Sequence, residues 1–143
     1  MLSFKKVVSS TLAILTLAMP IVNVNIPVSV SADASICDLY TKTVTSTLTL
    51  SGSTANCSST VVGSSGVTTK IVITQSLQKK NSSGSWTNSK TATSNAINSY
   101  KGSFSKSYSG LAKGTYRVKT TATVYAGNKS ETVTSYSSTK TVR

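Results

Sequence analysis

"SGLAKGTYRVKTTATVY", residues 109–125, is the stretch whose reading decides the fold. Tyr116, Val118, Thr120, Ala122 and Val124 alternate there with Arg117, Lys119, Thr121, Thr123 and Tyr125. Successive side chains of a strand point to opposite faces, so the period of two predicts a strand over Thr115 to Tyr125. Its first row turns inward, and its second, basic and hydroxylic, turns outward. Arg117 and Lys119 then either line a binding strip or form the wetted face of that strand.

The same alternation recurs on both sides of this stretch. Thr43 to Leu50 reads as a first strand with Val44, Leu48 and Leu50 on one face, ending at Ser51-Gly52-Ser53. Ala55 to Val62 is a second, ending at Gly63-Ser64-Ser65-Gly66. Val67 to Lys79 is the third, with Val67, Ile71, Ile73 and Leu77 on one face. Asn81-Ser82-Ser83-Gly84 turns it into a short fourth strand led by Trp86, and Ser103 to Tyr108 is a fifth around Phe104. After the Gly127-Asn128 turn a last strand covers Thr132 to Val142. Seven short strands separated by Gly, Ser and Asn turns predict an all-β, two-sheet sandwich.

The leader has a different character. Lys5 and Lys6 precede an apolar run from Val7 to Ile21, and small residues follow at Ser31, Ala32 and Ala34. That order is expected of a secretory signal peptide over residues 1–34, cleaved after Ala32 or Ala34. Pro20, Asn23 and Asn25 keep the run below the roughly 18 unbroken apolar residues of a spanning helix. Ile36 stands where a lipobox needs a small residue before its cysteine, and the end, Thr141-Val142-Arg143, carries no sorting motif. The expected product is one exported domain, residues 35–143, with no transmembrane segment.

Those 109 residues suffice for one core, burying something over ~60% of the unfolded surface. About 40% of them are Ser or Thr, which raises low-complexity disorder as a competing reading. The period-two recurrence of Val, Ile, Leu and Tyr argues against it, and Thr is itself a good strand former. The full chain carries 15 Lys and Arg against 3 Asp and Glu; without Lys5, Lys6 and Asp33 the domain keeps 13 against 2, about +11. Such a surface attracts anionic polymers without specifying which.

The runs "IVITQSLQKKNSSGSW" (71–86) and "SGLAKGTYRVKTTATV" (109–124) resemble the third- and sixth-strand signatures of immunoglobulin-like and fibronectin type III-like sandwiches. The spacing of Leu111, Gly114 and Tyr116 matches a tyrosine corner, which implies that the Tyr116 phenol bonds back to backbone near Leu111. More closely, the chain resembles a family of small secreted Gram-positive proteins of unknown function. The shared motifs are Leu77-Gln78-Lys79, Gly84-Ser85-Trp86, Gly114-Thr115-Tyr116-Arg117-Val118-Lys119 and Tyr136-Ser137, within a match from about Leu48 to Val142. The resemblance implies the fold and carries over no catalytic residue.

Two cysteines in an exported chain usually pair, so Cys37 and Cys57 are expected to form a disulfide. Its loop of about 20 residues would contribute roughly 3 kcal/mol and tie the N-terminal segment to the second strand. Enzymes are disfavoured: there is no His, and the exported part has only Asp38 and Glu131 as carboxylates. With so few ligating side chains, no metal or cofactor is expected.

The basic residues carry the functional question. Lys70, Lys79 and Lys80 bracket the third strand, Arg117 and Lys119 stud the sixth, and Lys140 lies on the last. With Tyr125, the outward aromatic, they form a candidate face for an anionic cell-wall polymer or acidic glycan, acting through salt-sensitive charge pairs. The plainer reading is that scattered lysines keep a small sandwich soluble and blunt its edges. Nucleic acid is disfavoured by the export signal and the scarcity of stacking aromatics. Trp86 is read as covering an edge of the core and Phe104 as core. The expectation is a monomeric, non-catalytic binding or envelope-associated module; the alternatives are a secreted cationic bacteriocin or toxin and a protein-binding adhesin.

Overall fold

The computed structural model describes residues 39–143. The expected signal peptide, its cleavage sites, Cys37 and Asp38 lie outside the described residues. Among the described residues there is no helix long and apolar enough to cross a membrane.

Eight strands follow in order: β1 (Thr41–Ser51), β2 (Thr54–Gly63), β3 (Lys70–Lys80), β4 (Trp86–Thr93), β5 (Lys101–Tyr108), β6 (Gly114–Ala126), β7 (Lys129–Tyr136) and β8 (Lys140–Val142). They form a two-sheet sandwich, as the alternation predicts. Sheet A is β1-β2-β5; sheet B is β4-β3-β6-β7, with β8 also on β6. The third and sixth strands are indeed neighbours, antiparallel from Lys70↔Tyr125 to Lys79↔Tyr116. The fourth strand lies on the β3 edge, whereas constant-type immunoglobulin domains place it beside the fifth.

Local chemistry accounts for the connections. The β1–β2 and β6–β7 hairpins each close over two residues, Gly52-Ser53 and Gly127-Asn128. Gly52 (φ 57°) and Gly127 (φ 61°) supply the left-handed first position, and no non-glycine among the described residues has positive φ. That is the type II′ requirement, whose twist matches the strands it joins. The β3–β4 turn is held by Asn81, whose Oδ1 accepts from the Ser85 N–H at 2.8 Å and the Ser83 hydroxyl at 2.7 Å. At the tyrosine corner the Tyr116 hydroxyl donates to the Ala112 carbonyl at 2.7 Å, one residue from the place expected. Leu111 N–H donates to Ser53 O at 2.9 Å, locking that corner onto the β1–β2 turn.

Two expected strands are redrawn. Val67 lies in the turn before β3 and is 46% exposed, so it does not share the face of Ile71, Ile73 and Leu77. The last expected strand is two, because Ser137 interrupts it. Ser137 N–H donates to Val118 O at 2.9 Å, but its hydroxyl, not its carbonyl, receives the Val118 N–H at 2.8 Å. The ladder resumes shifted by one residue, from Lys119↔Tyr136 in β7 to Tyr116↔Lys140 in β8. A one-residue shift exchanges the faces, so Val133 points inward on β7 and Val142 on β8.

The interior is layered. One apolar cluster gathers Leu48, Cys57, Leu77, Leu111, Tyr116, Val118 and Val142; the other gathers Val44, Val61, Ile71, Ile73, Ala122, Val124 and Val133. Between them runs a stratum of buried polar side chains. Ser46 Oγ donates to Thr120 Oγ1 at 2.5 Å, Thr120 and Ser59 share a bond of 2.6 Å, and Gln75 Nε2 donates to Ser59 Oγ at 2.7 Å. Gln75 also donates to Phe104 O on β5 at 2.9 Å. Ser46 and Ser59 belong to sheet A, Gln75 and Thr120 to sheet B, so these bonds cross the sandwich.

A buried polar group left without its partner costs about 1–3 kcal/mol, whereas removing both partners together costs far less. Thr120→Val, which keeps the shape and deletes the shared hydroxyl, is therefore expected to lower stability by about 1–3 kcal/mol in urea unfolding. Adding Ser46→Ala should recover part of the loss. Equal midpoints for Thr120→Val and wild type would show that these bonds do not hold the sheets together.

Candidate functional site

Pairing across β3 and β6 sorts the seven candidate residues into three places. Lys70 and Tyr125 are direct cross-strand partners on the outer face of sheet B, with Lys70 Nζ 4.0 Å above the ring centroid. Arg117, Lys119 and Lys80 lie on the same outer face toward its other end. Gln78↔Arg117 is eight residues from Lys70↔Tyr125, about 27 Å at the usual rise. Lys79 and Lys140 share the inward side of sheet B, since both pair with Tyr116. Lys79 crosses Gly114 (φ 147°), where a β-carbon would sit 2.6 Å from Lys79 Cε, and ends 5.7 Å from the Tyr116 ring centroid. The single seven-residue strip expected from the sequence is thus corrected. Lys79 packs over the end of the core, Lys140 is exposed at that same end, and Tyr125 serves Lys70 instead of the Arg117 pair.

Arg117 has other aromatic neighbours. Its guanidinium carbon lies 4.2 Å from the Trp86 ring centroid and 4.2 Å from that of Tyr136. The cation is stacked between two rings, one from β4 and one from β7. Its Nε donates to Gln78 Oε1 at 2.9 Å, and Gln78 Nε2 donates onward to Asn88 Oδ1 at 2.9 Å. Lys80 Nζ extends the series, 5.9 Å from the Trp86 centroid. Burial against this cluster draws the Arg117 guanidinium below its ordinary pKa, while Tyr136 pulls the other way; an arginine remains cationic throughout.

Trp86 reaches the outer face through a bulge. Between Leu77↔Lys90 and Gln78↔Asn88 the β4 register slips by one residue, which leaves Trp86 opposite Lys80 on the outward side. Trp86 belongs to neither core cluster, so the expected edge-of-core role is corrected to a ring stacked on Arg117. Tyr136, 41% exposed, is a member that reading for charge missed. The four motifs singled out in the sequence, Leu-Gln-Lys, Gly-Ser-Trp, Gly-Thr-Tyr-Arg-Val-Lys and Tyr-Ser, each contribute one residue here: Gln78, Trp86, Arg117 and Tyr136.

Other features are plainer. Glu131, the one carboxylate side chain among the described residues, lies within β7 and accepts the Tyr40 N–H at 2.9 Å. Phe104 is half-buried against the Val44 cluster. On sheet A a hollow of about 380 Å³ is lined mainly by hydroxyl and amide residues of β1, β2 and β5, with Cys57 and Lys106 also at its wall. Comparison with protein-family models, with curated proteins and with solved structures found no match for this chain.

Cys57 carries a free thiol in the apolar cluster around Leu48 and Leu77; its expected partner Cys37 lies outside the described residues. Burial pushes this thiol from 9.0 up to about 11. At neutral pH it is protonated and a poor nucleophile. The folded state holds the proton more tightly than the unfolded chain, so this contribution to stability is complete below pH 9.0 and is lost as pH rises toward 11. In a Cys37→Ser variant, Cys57 is expected to resist a thiol reagent until urea unfolds the domain. Replacing Cys57 by Ala as well should remove that part of the alkaline loss. Rapid labelling of the folded variant would overturn the assignment.

Proposed function

We propose that this protein is an exported, non-catalytic module that binds an anionic cell-wall polymer, of the teichoic acid or acidic glycan kind, through the Arg117 end of the outer face of sheet B. The observation that carries the reading is the stack of Trp86, Arg117 and Tyr136 with Lys80 and Lys119 beside it. Cations spread round a domain serve solubility, but a cation held between two rings presents its charge in one direction. The excess of 15 basic over 3 acidic residues supplies long-range attraction to polyanions. The leader supplies the address, and the resemblance to small secreted Gram-positive proteins agrees with it.

The test is co-sedimentation of the purified protein with Gram-positive cell walls, before and after teichoic acid is stripped, across a salt series. Binding is expected to fall with salt and on stripping. Lys80→Glu with Lys119→Glu should reduce it strongly with an unchanged circular dichroism spectrum, because neither lysine is in the core. Arg117 is unsuited to charge reversal, since a carboxylate between two ring faces would disturb the fold. Protein that stays in the supernatant at low salt would refute the reading.

A further inference from the structure

The arrangement around Arg117 leaves one part of its guanidinium unused. Trp86 from β4 and Tyr136 from β7 flank it from the two sides of the β3–β6 pair, each ring centroid 4.2 Å from its carbon, and Gln78 takes the Nε–H. The two terminal amino groups have no hydrogen-bond partner among the described residues. We infer that these two groups form a bidentate anchor for a single phosphate of the bound polymer, which sets where the chain lies across sheet B. The inference deepens the polymer-binding reading and rests on it.

Three observations support it. First, the fork is fixed before any ligand arrives. An arginine normally loses side-chain freedom on binding, which weakens the contact. Here Gln78, itself 7% exposed and held by Asn88, sets the rotation of the guanidinium, and the rings prevent it from swinging. A planar fork in a set orientation matches paired oxygens on one anion, which an ammonium cannot do.

Second, the surroundings suit a chain of closely spaced negative charges. Lys119 is two residues along β6 on the same face, about 6.8 Å away at the usual rise, and Lys80 flanks Trp86 on the other side. A lone anion would satisfy the fork and leave both lysines idle. A phosphodiester chain offers a further anion to each. Third, no carboxylate side chain among the described residues competes for the fork: Glu131, the one there, is on β7 opposite Val124 and bonded to Tyr40. Tyr136 faces solvent at the rim, where its hydroxyl can meet the polyol between phosphates.

Trp86 is the sole tryptophan, so its emission reports on the stack, and Arg117 and Arg143 are the only two arginines. The purified protein is titrated with poly(glycerol phosphate) and, separately, with polygalacturonate as a carboxylate polymer. Arg117→Lys keeps the charge and removes the fork; it is expected to weaken poly(glycerol phosphate) binding about tenfold or more and to erase the preference for phosphate over carboxylate. Lys119→Gln removes a charge and keeps the fork. It should mainly reduce the salt dependence, by about one in the log–log slope.

A second measurement needs no variant. Phenylglyoxal labelling read by mass spectrometry should modify both arginines in the free protein, and poly(glycerol phosphate) should protect Arg117 but not Arg143. Wild type and Arg117→Lys binding equally, or polymer leaving Arg117 as reactive as before, would overturn the anchor while the broader reading stands. Failure of wild type to bind either polymer would overturn both. Tighter binding of polygalacturonate by wild type would overturn phosphate as the anchored group.

Discussion

The hydrogen bonds that cross the sandwich through Ser46, Thr120, Ser59 and Gln75 are the constraint on which the remaining structure depends. Apolar side chains such as Val and Leu tolerate sliding of one sheet over another, because dispersion and burial have little direction. Hydroxyls and an amide at the middle of the interior do not. Each is buried, and each loses its partner if either sheet moves by one residue, which would cost more than the bonds contribute. The two apolar clusters on either side are therefore held at one relative position by the polar stratum between them.

That position also determines the outer face. Gln75 and Thr120 are cross-strand partners facing inward, so Gln78 and Arg117, three residues further on each strand, are partners facing outward. The β4 bulge opposite Leu77 and Gln78 brings Trp86 to the outer side of that pair, and the regular β7 register brings Tyr136 to the other side. Four strands thus deliver one contact each to the same place. The interruption at Ser137 comes immediately after Tyr136, so β8 can turn Val142 back into the core without disturbing the stack.

Period-two alternation broken by Gly, Ser and Asn turns was enough to show the strands of a sandwich and the outward direction of Arg117 and Lys119, while the corner at Tyr116 came from the resemblance to immunoglobulin-like sandwiches. The polar stratum was partly legible as well. Gln75 stands between Ile73 and Leu77 in the inward count, Ser46 between Val44 and Leu48, Ser59 between Cys57 and Val61, and Thr120 between Val118 and Ala122. Reading only apolar residues for burial passes over them, and which polar group meets which depends on sheet-to-sheet placement that no local pattern carries. Lys79 too falls on the inward count with Ile73 and Leu77. The inward side of Lys140 was not legible, because it follows a one-residue slip made by a serine hydroxyl replacing a backbone carbonyl. The slip that turns Trp86 outward was hidden for the same reason: a bulge is a property of two strands together.

The lysines and Arg117 differ in what their charge can do. Lys70, Lys80, Lys101 and Lys106 each lie over one ring, Tyr125, Trp86, Tyr100 and Phe104, at 4.0 to 5.9 Å. A single face of contact leaves an ammonium free to rotate about its long stem and to follow any anion nearby. Such charges raise the local concentration of polyanions and do so less well as salt increases. Arg117 lies within 4.2 Å of two ring centroids and is also held through Nε, so its charge has a direction as well as a sign. Positive charge on this surface is therefore distributed, whereas orientation is concentrated at one residue, and under the proposed function a polyanion drawn to the domain by many cations would be positioned by the one that cannot turn.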